Sequence, residues 1–398
     1  MSAKDHKENT GEKRHYFDWA ASSAVECGSN DGFSSLFGNP SSLHKEGKAA
    51  KHALNDARER CAKALNVPPD TLFFTSGGTE SNSIALFSNL MRKGQGRIIF
   101  SAAEHSSIRE AAQTLAKMGK NTGTITVDSL GRVTDASLQK ALEKHPDTRF
   151  AAIMSVNNET GSVTDIASLK NVIRGHAQTC GTPVHFHCDL VQAAGKIPVN
   201  IAEWDIDSAS LSAHKLGGPR GIGLLYLRKP LNFEAFYSGG GQESGIRGGT
   251  ENVQAAAVFA DCLEKCAFSA NAGLPARLYD DAKCRWNMLI DSLNKIPRCS
   301  IIPKQRLADD DRFSPYILQA AFNDIPGEVM ARALDDLGFA VSTGSACSSS
   351  SPERPVLLAM GVEEKLRIEG IRISQGYTTT SGQIDLLLKA VAEVLKFL

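Results

Sequence analysis

The sequence predicts an α/β protein: a large, mostly parallel sheet flanked by helices, followed by a smaller α/β segment at the C-terminus. Three observations lead there. Short apolar, β-branched segments alternate with helical stretches from about residue 41 onward, which is the pattern of βαβ units. The chain has 398 residues, more than one ordinary core accommodates, so two domains are expected. Near residue 262 the pattern changes to one long helical stretch and then a shorter α/β run, which sets the expected boundary.

The elements follow in order. Ser41 to Asn66 reads as a helix, with Ala50, Ala53, Leu54, Ala57, Cys61, Ala64 and Leu65 at helical spacing and Pro68–Pro69 as its stop. Seven strand candidates come next: Thr71–Thr75, Arg97–Ser101, Thr124–Val127, Phe150–Val156, Val184–Cys188, Ser208–Ser212 and Gly223–Arg228. Most are β-branched or aromatic and many are separated by helical stretches, which argues for a sheet covered on both faces. Gln254 to Lys295 reads as one long helical stretch leading to the C-terminal segment.

Composition narrows the function. Lys plus Arg and Asp plus Glu both number 44, so a strongly basic nucleic-acid binder or an acidic tail is not expected. No apolar run approaches the roughly 20 residues that span a bilayer. Met1 to His15 is polar and lacks the apolar stretch of a secretory signal, so a partly ordered arm on a cytoplasmic protein is expected. The cysteines number nine, an odd count at irregular spacing, which points to reduced thiols. Cys262 with Cys266, and His185 with His187 and Cys188, lack paired zinc spacing and read as buried thiols and core histidines; no metal is expected.

Four segments carry chemistry, because ligands of open α/β sheets sit at the carboxyl ends of the strands. Thr75–Asn82 follows a strand and opens a helix; its glycines Gly77 and Gly78 and the first-turn N–H groups suit a phosphate, although a plain capped turn reads equally well. Asp189 ends an apolar strand, where a half-buried carboxylate needs a cation or several donors; a helix cap is the alternative. Lys215 follows a strand of small residues and precedes Gly217 and Gly218, a setting suited to a Schiff-base lysine, although surface lysines are commoner. Cys347 lies in a small, polar stretch, Val341–Pro352, where a thiol could be exposed and could swing between two partners.

Together these segments resemble the cysteine desulfurases, a family of fold-type I pyridoxal-phosphate enzymes in the class V aminotransferase group. The resemblance runs through Tyr16-Phe17-Asp18, Gly38–His44, Thr75–Glu80, Glu104-His105, Val156–Gly161, Asp189, Gln192, Ser212–Lys215, Gly239–Glu243, Arg247–Thr250, Gly344–Cys347 and Arg372–Ser374. It implies pyridoxal 5'-phosphate as cofactor and a role for each matched position. Lys215 would carry the cofactor, and His105 would stack on its ring and help move protons. Asp189 would pair with the pyridine nitrogen, and Gln192 would bond the phenolic oxygen. Gly78, Thr79, Ser212 and His214 would surround the phosphate, with Thr250 serving the phosphate site of a neighbouring subunit in a homodimer. Asn158 and Arg372 would hold the substrate carboxylate, Asn158 touching the cofactor as well.

Residues 15–262 would then form the cofactor-binding domain. Residues 263–398 would form the small domain bearing the cysteine loop, with the arm 1–14 packed beside it. The implied reaction takes sulfur from L-cysteine onto Cys347 as a persulfide, leaves L-alanine, and passes the sulfur to an acceptor protein for iron–sulfur assembly or other trafficking. Two rivals remain at this stage. One is a selenocysteine lyase or small-amino-acid aminotransferase on the same scaffold. The other is a non-catalytic binding scaffold, whose mark would be loss of Lys215, Asp189 or His105.

Overall fold

The computed structural model describes residues 14–24, 36–91, 96–230, 233–236, 239–266, 268, 273–344 and 354–398. Strands β2 (Leu72–Thr75), β3 (Arg97–Ser101), β4 (Thr122–Ile125), β5 (Thr148–Ala152), β6 (His185–Asp189), β7 (Ser208–Ser212) and β8 (Gly223–Leu227) form a seven-stranded sheet in the order β2-β8-β7-β6-β5-β3-β4. All pairs are parallel except those of β8, which runs antiparallel to both β2 and β7. The seven strand candidates of the sequence fall on these seven strands, with ends displaced by up to four residues.

Both faces of the sheet are covered, and successive residues separate onto them. Phe74, Ile99 and Ala151 enter one core, while Phe73, Ile98, Phe150 and Ala152 enter the opposite one. A strand's side chains alternate between faces, so a strand with two buried faces needs apolar residues at consecutive positions. Each large side chain such as Phe150, fully buried, contributes about 2–3 kcal/mol of transfer free energy.

Two helix expectations need correction. The first helix runs Lys45–Leu65 and not from Ser41: the His44 side chain accepts from Gly47 N and caps the start, while left-handed Asn66 closes the end. The stretch Gln254–Lys295 is two helices, Val253–Cys266 and Gly273–Leu293. Pro275 lies in the first turn of the second, where its missing N–H costs no intrahelical bond, so the proline marks a start. Residue 262 falls inside the helix Val253–Cys266.

The C-terminal part builds a second sheet, in the order β12-β10-β9, from β9 (Cys299–Ile302), β10 (Ile317–Phe322) and β12 (Gly370–Ser374). Both pairings are antiparallel. The N-terminal strand β1 (His15–Tyr16) pairs in parallel with β11 (Phe339–Ala340), and Asp18 bridges to Ser374. The segment after β1 then crosses to the large sheet, where Ser23 N donates to His214 O and Ser23 Oγ to Lys215 O. Among the described residues, no helix is long and apolar enough to cross a membrane.

Candidate active site

At the carboxyl ends of β5, β6 and β7 a cavity of about 250 Å³ opens between the large sheet and the C-terminal part. Its walls bring together ten of the residues singled out in the sequence: Gly78, Thr79, His105, Asn158, Asp189, Gln192, Ser212, His214, Lys215 and Arg372. Thr250 is exposed and lies outside the cavity. Cys347 lies outside the described residues, but Gly344 and Pro355, on either side of that stretch, both line the cavity.

The deep end is a closed hydrogen-bond network. Asp189 ends β6; its Oδ1 accepts from Val191 N (2.9 Å) and its Oδ2 from Asn82 Nδ2 (2.8 Å). The same Asn82 nitrogen donates to Ser107 Oγ (2.9 Å), and the Asn82 carbonyl oxygen accepts from His187 Nε2 (2.9 Å). His187 is fully buried, which pushes its pKa down to about 3 and keeps the ring neutral. With the proton on Nε2, His187 Nδ1 accepts from the Ser208 hydroxyl (2.7 Å), whose oxygen accepts in turn from His185 Nε2 (2.7 Å). The two histidines are thus structural donors to serine and asparagine.

The network also sets His105, which caps the helix Ser106–Lys117. Ser107 N donates to His105 Nδ1 (3.2 Å), and the Ser107 hydroxyl lies 2.9 Å from the same nitrogen. Nδ1 is therefore an acceptor, and the neutral ring carries its proton on Nε2. Burial lowers the His105 pKa, while the Asp189 charge pulls the other way. Burial and the Lys215 charge press His214 down to about 4. Glu104 is fully buried; burial first and the Asp189 charge second raise its pKa well above the usual carboxylate range.

Lys215 ends the short turn Ala213–Lys215 that follows β7. Its Nζ donates to the carbonyls of Ala20 (2.6 Å) and Ala21 (2.8 Å) on the crossing N-terminal segment. Two glycines make the adjoining wall possible. A Cβ on Gly78 would come within 2.5 Å of Val191 Cγ2, and one on Gly223 within 2.5 Å of the Gly77 backbone. Gly78 and Thr79 are the first residues of the helix Gly78–Met91, whose first-turn N–H groups lack intrahelical acceptors.

The mouth is built differently. Arg372 is buried; its Nη2 pairs with Asp18 Oδ1 (2.8 Å) and its Nη1 donates to Asn158 O (3.0 Å). Among the described residues, the buried side-chain atoms with no hydrogen-bond partner include Arg372 Nε, Asn158 Oδ1, Glu159 Oε2 and Glu104 Oε2, all from residues of this cavity's walls. Unpartnered buried polar atoms are costly, and their concentration at one place marks a site built for a polar guest.

A family model for the aminotransferases of class V matches residues 15–387. The chain belongs to the class V aminotransferase family. Its cofactor is pyridoxal 5'-phosphate. The chain is 36% identical over 367 residues to "cysteine desulfurase IscS" of Methanosarcina thermophila, covering 90% of this chain and 85% of that one. It is 34% identical to the mitochondrial cysteine desulfurase of Saccharomyces cerevisiae, over 92% of this chain and 71% of that one. Among solved structures, a NifS-like protein at 30% identity superposes with a TM-score of 0.84 over 97% of this chain and 100% of that one. A NifS-like protein from Rickettsia africae does so at 28% identity, with a TM-score of 0.82 over 96% of this chain and 100% of that one.

As a class V aminotransferase site, the cavity fits its cofactor. It offers an amine, a carboxylate at the strand end, a helix start beside close-packed glycines and a set of unpartnered polar atoms. Sequence reasoning gave no role to Asn82, Ser107, Asp18 or Lys196. For Asn82 a signal existed: it lies three residues after Thr79 on one helix, hence on the same face. For Lys196, whose Nζ donates to Gln192 Oε1 (2.6 Å), the four-residue spacing means little without knowing that the segment turns helically.

Proposed function

We propose that this chain is a cysteine desulfurase that converts L-cysteine to L-alanine and carries the sulfur on Cys347 before handing it to an acceptor. The observation that carries the reading is the convergence of Lys215, Asp189, His105 and Arg372 on one cavity that the flanks of the Cys347 stretch also line.

Bound through Lys215, pyridoxal phosphate supplies an electron sink for the charge left when the substrate's α-proton departs. Each Asp189 oxygen holds one hydrogen bond and keeps lone-pair capacity for a protonated ring nitrogen. The Ala20 and Ala21 carbonyls keep the Lys215 amine at the site, where it serves as the base for the α-proton. His105 presents its Nε2 proton, as an acid for groups that gain negative charge. Arg372 spends one N–H on Asp18 and one on Asn158 O; its remaining donors, with the Asn158 side chain, receive the substrate carboxylate.

The Cys347 thiolate then attacks the substrate sulfur. A sulfur–sulfur bond forms, the carbon–sulfur bond breaks with its electron pair staying on carbon, and that carbon takes up a proton on the way to alanine. Gly78, Thr79, Ser212 and His214 form the phosphate end. Thr250, exposed and outside this cavity, serves the phosphate site of a neighbouring subunit in a homodimer. We further propose a cytoplasmic enzyme in two domains, with the joint near residue 262 as read from the sequence, supplying sulfur for iron–sulfur assembly or related trafficking.

The test is mass spectrometry and product analysis of the holoenzyme incubated with cysteine. One extra sulfur on Cys347 and one alanine per sulfur are expected, and Cys347→Ser should lose both the adduct and turnover. Sulfur release by Cys347→Ser at the parent rate, or a requirement for a keto acid, would overturn the reading.

A further inference from the structure

Lys196 is fully buried, does not line the cavity and takes no part in the proposed reaction. The backbone around it winds helically: Ala193 N and Ala194 N both donate to Leu190 O, and Lys196 N and Ile197 N to Ala193 O. Residues four apart on such a turn share a face, which sets Lys196 against Gln192. Lys196 Nζ donates to Gln192 Oε1 at 2.6 Å, and Gln192 Nε2 donates to Ala20 O at 2.9 Å. A lysine nitrogen beside the amide therefore selects its oxygen, and a backbone carbonyl selects its nitrogen. The two contacts choose the same orientation independently and leave one Nε2 hydrogen for the cavity.

We propose that Lys196 is a positioning residue that locks the Gln192 amide with its NH2 group as the donor toward the cofactor's phenolic oxygen. This rests on the reading that Gln192 serves that oxygen. Without Nζ, Oε1 becomes a buried acceptor with no donor, only the Ala20 contact still holds the amide, and its NH2 group swings off the phenolic oxygen. Lys215, Arg372 and Cys266 are the titratable groups whose charges reach Lys196. Burial first, and the two cations next, bring its pKa down to about 7, so both protonation states are accessible near neutrality; Nζ can donate to Oε1 in either.

The experiment titrates the visible absorption band of the bound cofactor in the holoenzyme, with cofactor content measured alongside. Losing one donor at the phenolic oxygen should raise the band's pH midpoint in Lys196→Met by about one unit, a tenfold change in proton affinity. In a Gln192→Ala background the same substitution should add nothing, because the interaction it removes is already gone. Lys196→Gln keeps a donor and drops the charge, and should hold the midpoint within about 0.3 unit of the parent, well inside that tenfold step. An undiminished shift in the Gln192→Ala background, or a Lys196→Gln shift as large as that of Lys196→Met, would mean that charge alone acts and would overturn the proposal. A midpoint indifferent to Lys196 would overturn it alone; a parent protein that takes up no cofactor would overturn it together with the reading beneath it.

Discussion

The deep end and the mouth of the cavity are built from similar residues, yet the deep chain from Asp189 to His185 is satisfied within itself and the mouth is not. From Asp189 through Asn82, His187 and Ser208 to His185, the described polar atoms find partners at 2.7–2.9 Å. At the mouth, Arg372 Nε, Asn158 Oδ1 and Glu159 Oε2 are buried and find none; the nearest cation to Glu159 Oε2, Arg354 Nη2, stands at 3.9 Å. A completed network holds its members in one arrangement and sets their proton positions. An incomplete one waits for a guest to complete it. On the proposed reading the contrast separates scaffold from receptor: the deep end would orient the groups that act on a ring, and the mouth would take the part of the substrate that comes and goes.

Substitutions on the two sides should therefore fail in different ways. The largest effect belongs to the mouth. Arg372→Ala removes the donors for the substrate carboxylate, and steady-state kinetics should show KM for cysteine rising roughly 10²–10³-fold, the worth of two charge-assisted hydrogen bonds. Cofactor uptake, read from the visible band, should persist. Loss of the band in this variant would place Arg372 in the scaffold and erase the distinction.

A smaller effect, of a different kind, belongs to the deep end. Asn82→Ala strips a donor from Asp189 and another from Ser107, leaving buried acceptors unsatisfied, so kcat should fall roughly 10–100-fold with little change in KM. The pH midpoint of the visible band should move with it, because the amide acts through Asp189 and His105.

The smallest effect at neutral pH concerns His187, and it sharpens the comparison by touching only the network's far side. Its folded pKa of about 3 lies below the ordinary histidine value. The unfolded chain therefore takes up a proton that the folded one refuses. Stability should be unaffected above about pH 6.5 and should fall by up to roughly 1.4 kcal/mol per pH unit as pH drops from there toward 3. His187→Gln, which can still donate to Asn82 and accept from Ser208, should remove one proton's worth of that slope in urea unfolding measured at several pH values. His214, itself held near 4 by burial and the Lys215 charge, leaves a residual slope.

Legibility followed the range of the interactions. The seven strands were readable because most are short β-branched or aromatic runs set between helical stretches, although β4 (Thr122–Ile125) and β7 (Ser208–Ser212) are not apolar throughout. The split of the 254–295 stretch was marked by Gly273-Leu274-Pro275, although the helical periodicity on either side concealed it. Of the site residues, Lys215 and Asp189 stood out through their segments of glycine, small residues and charge, while His105 and Arg372 came only from the resemblance to the cysteine desulfurases. Asp18 showed only as part of a motif; its pairing with Arg372 spans 354 residues of chain and carries no local pattern.

By itself the sequence determined the α/β class, the sheet's strands, the likeness to cysteine desulfurases and ten residues that share a cavity. The class and the strands depend on local periodicity, and the ten residues on the resemblance of their motifs to those of a known family. Only the tertiary structure decided that a neutral His187 orients Asn82, that Arg372 is already engaged on two sides, and that a buried Lys196 grips Gln192. Proton positions and amide orientations follow from which donor meets which acceptor across the fold. Such meetings are set by packing, and no spacing along the chain encodes them.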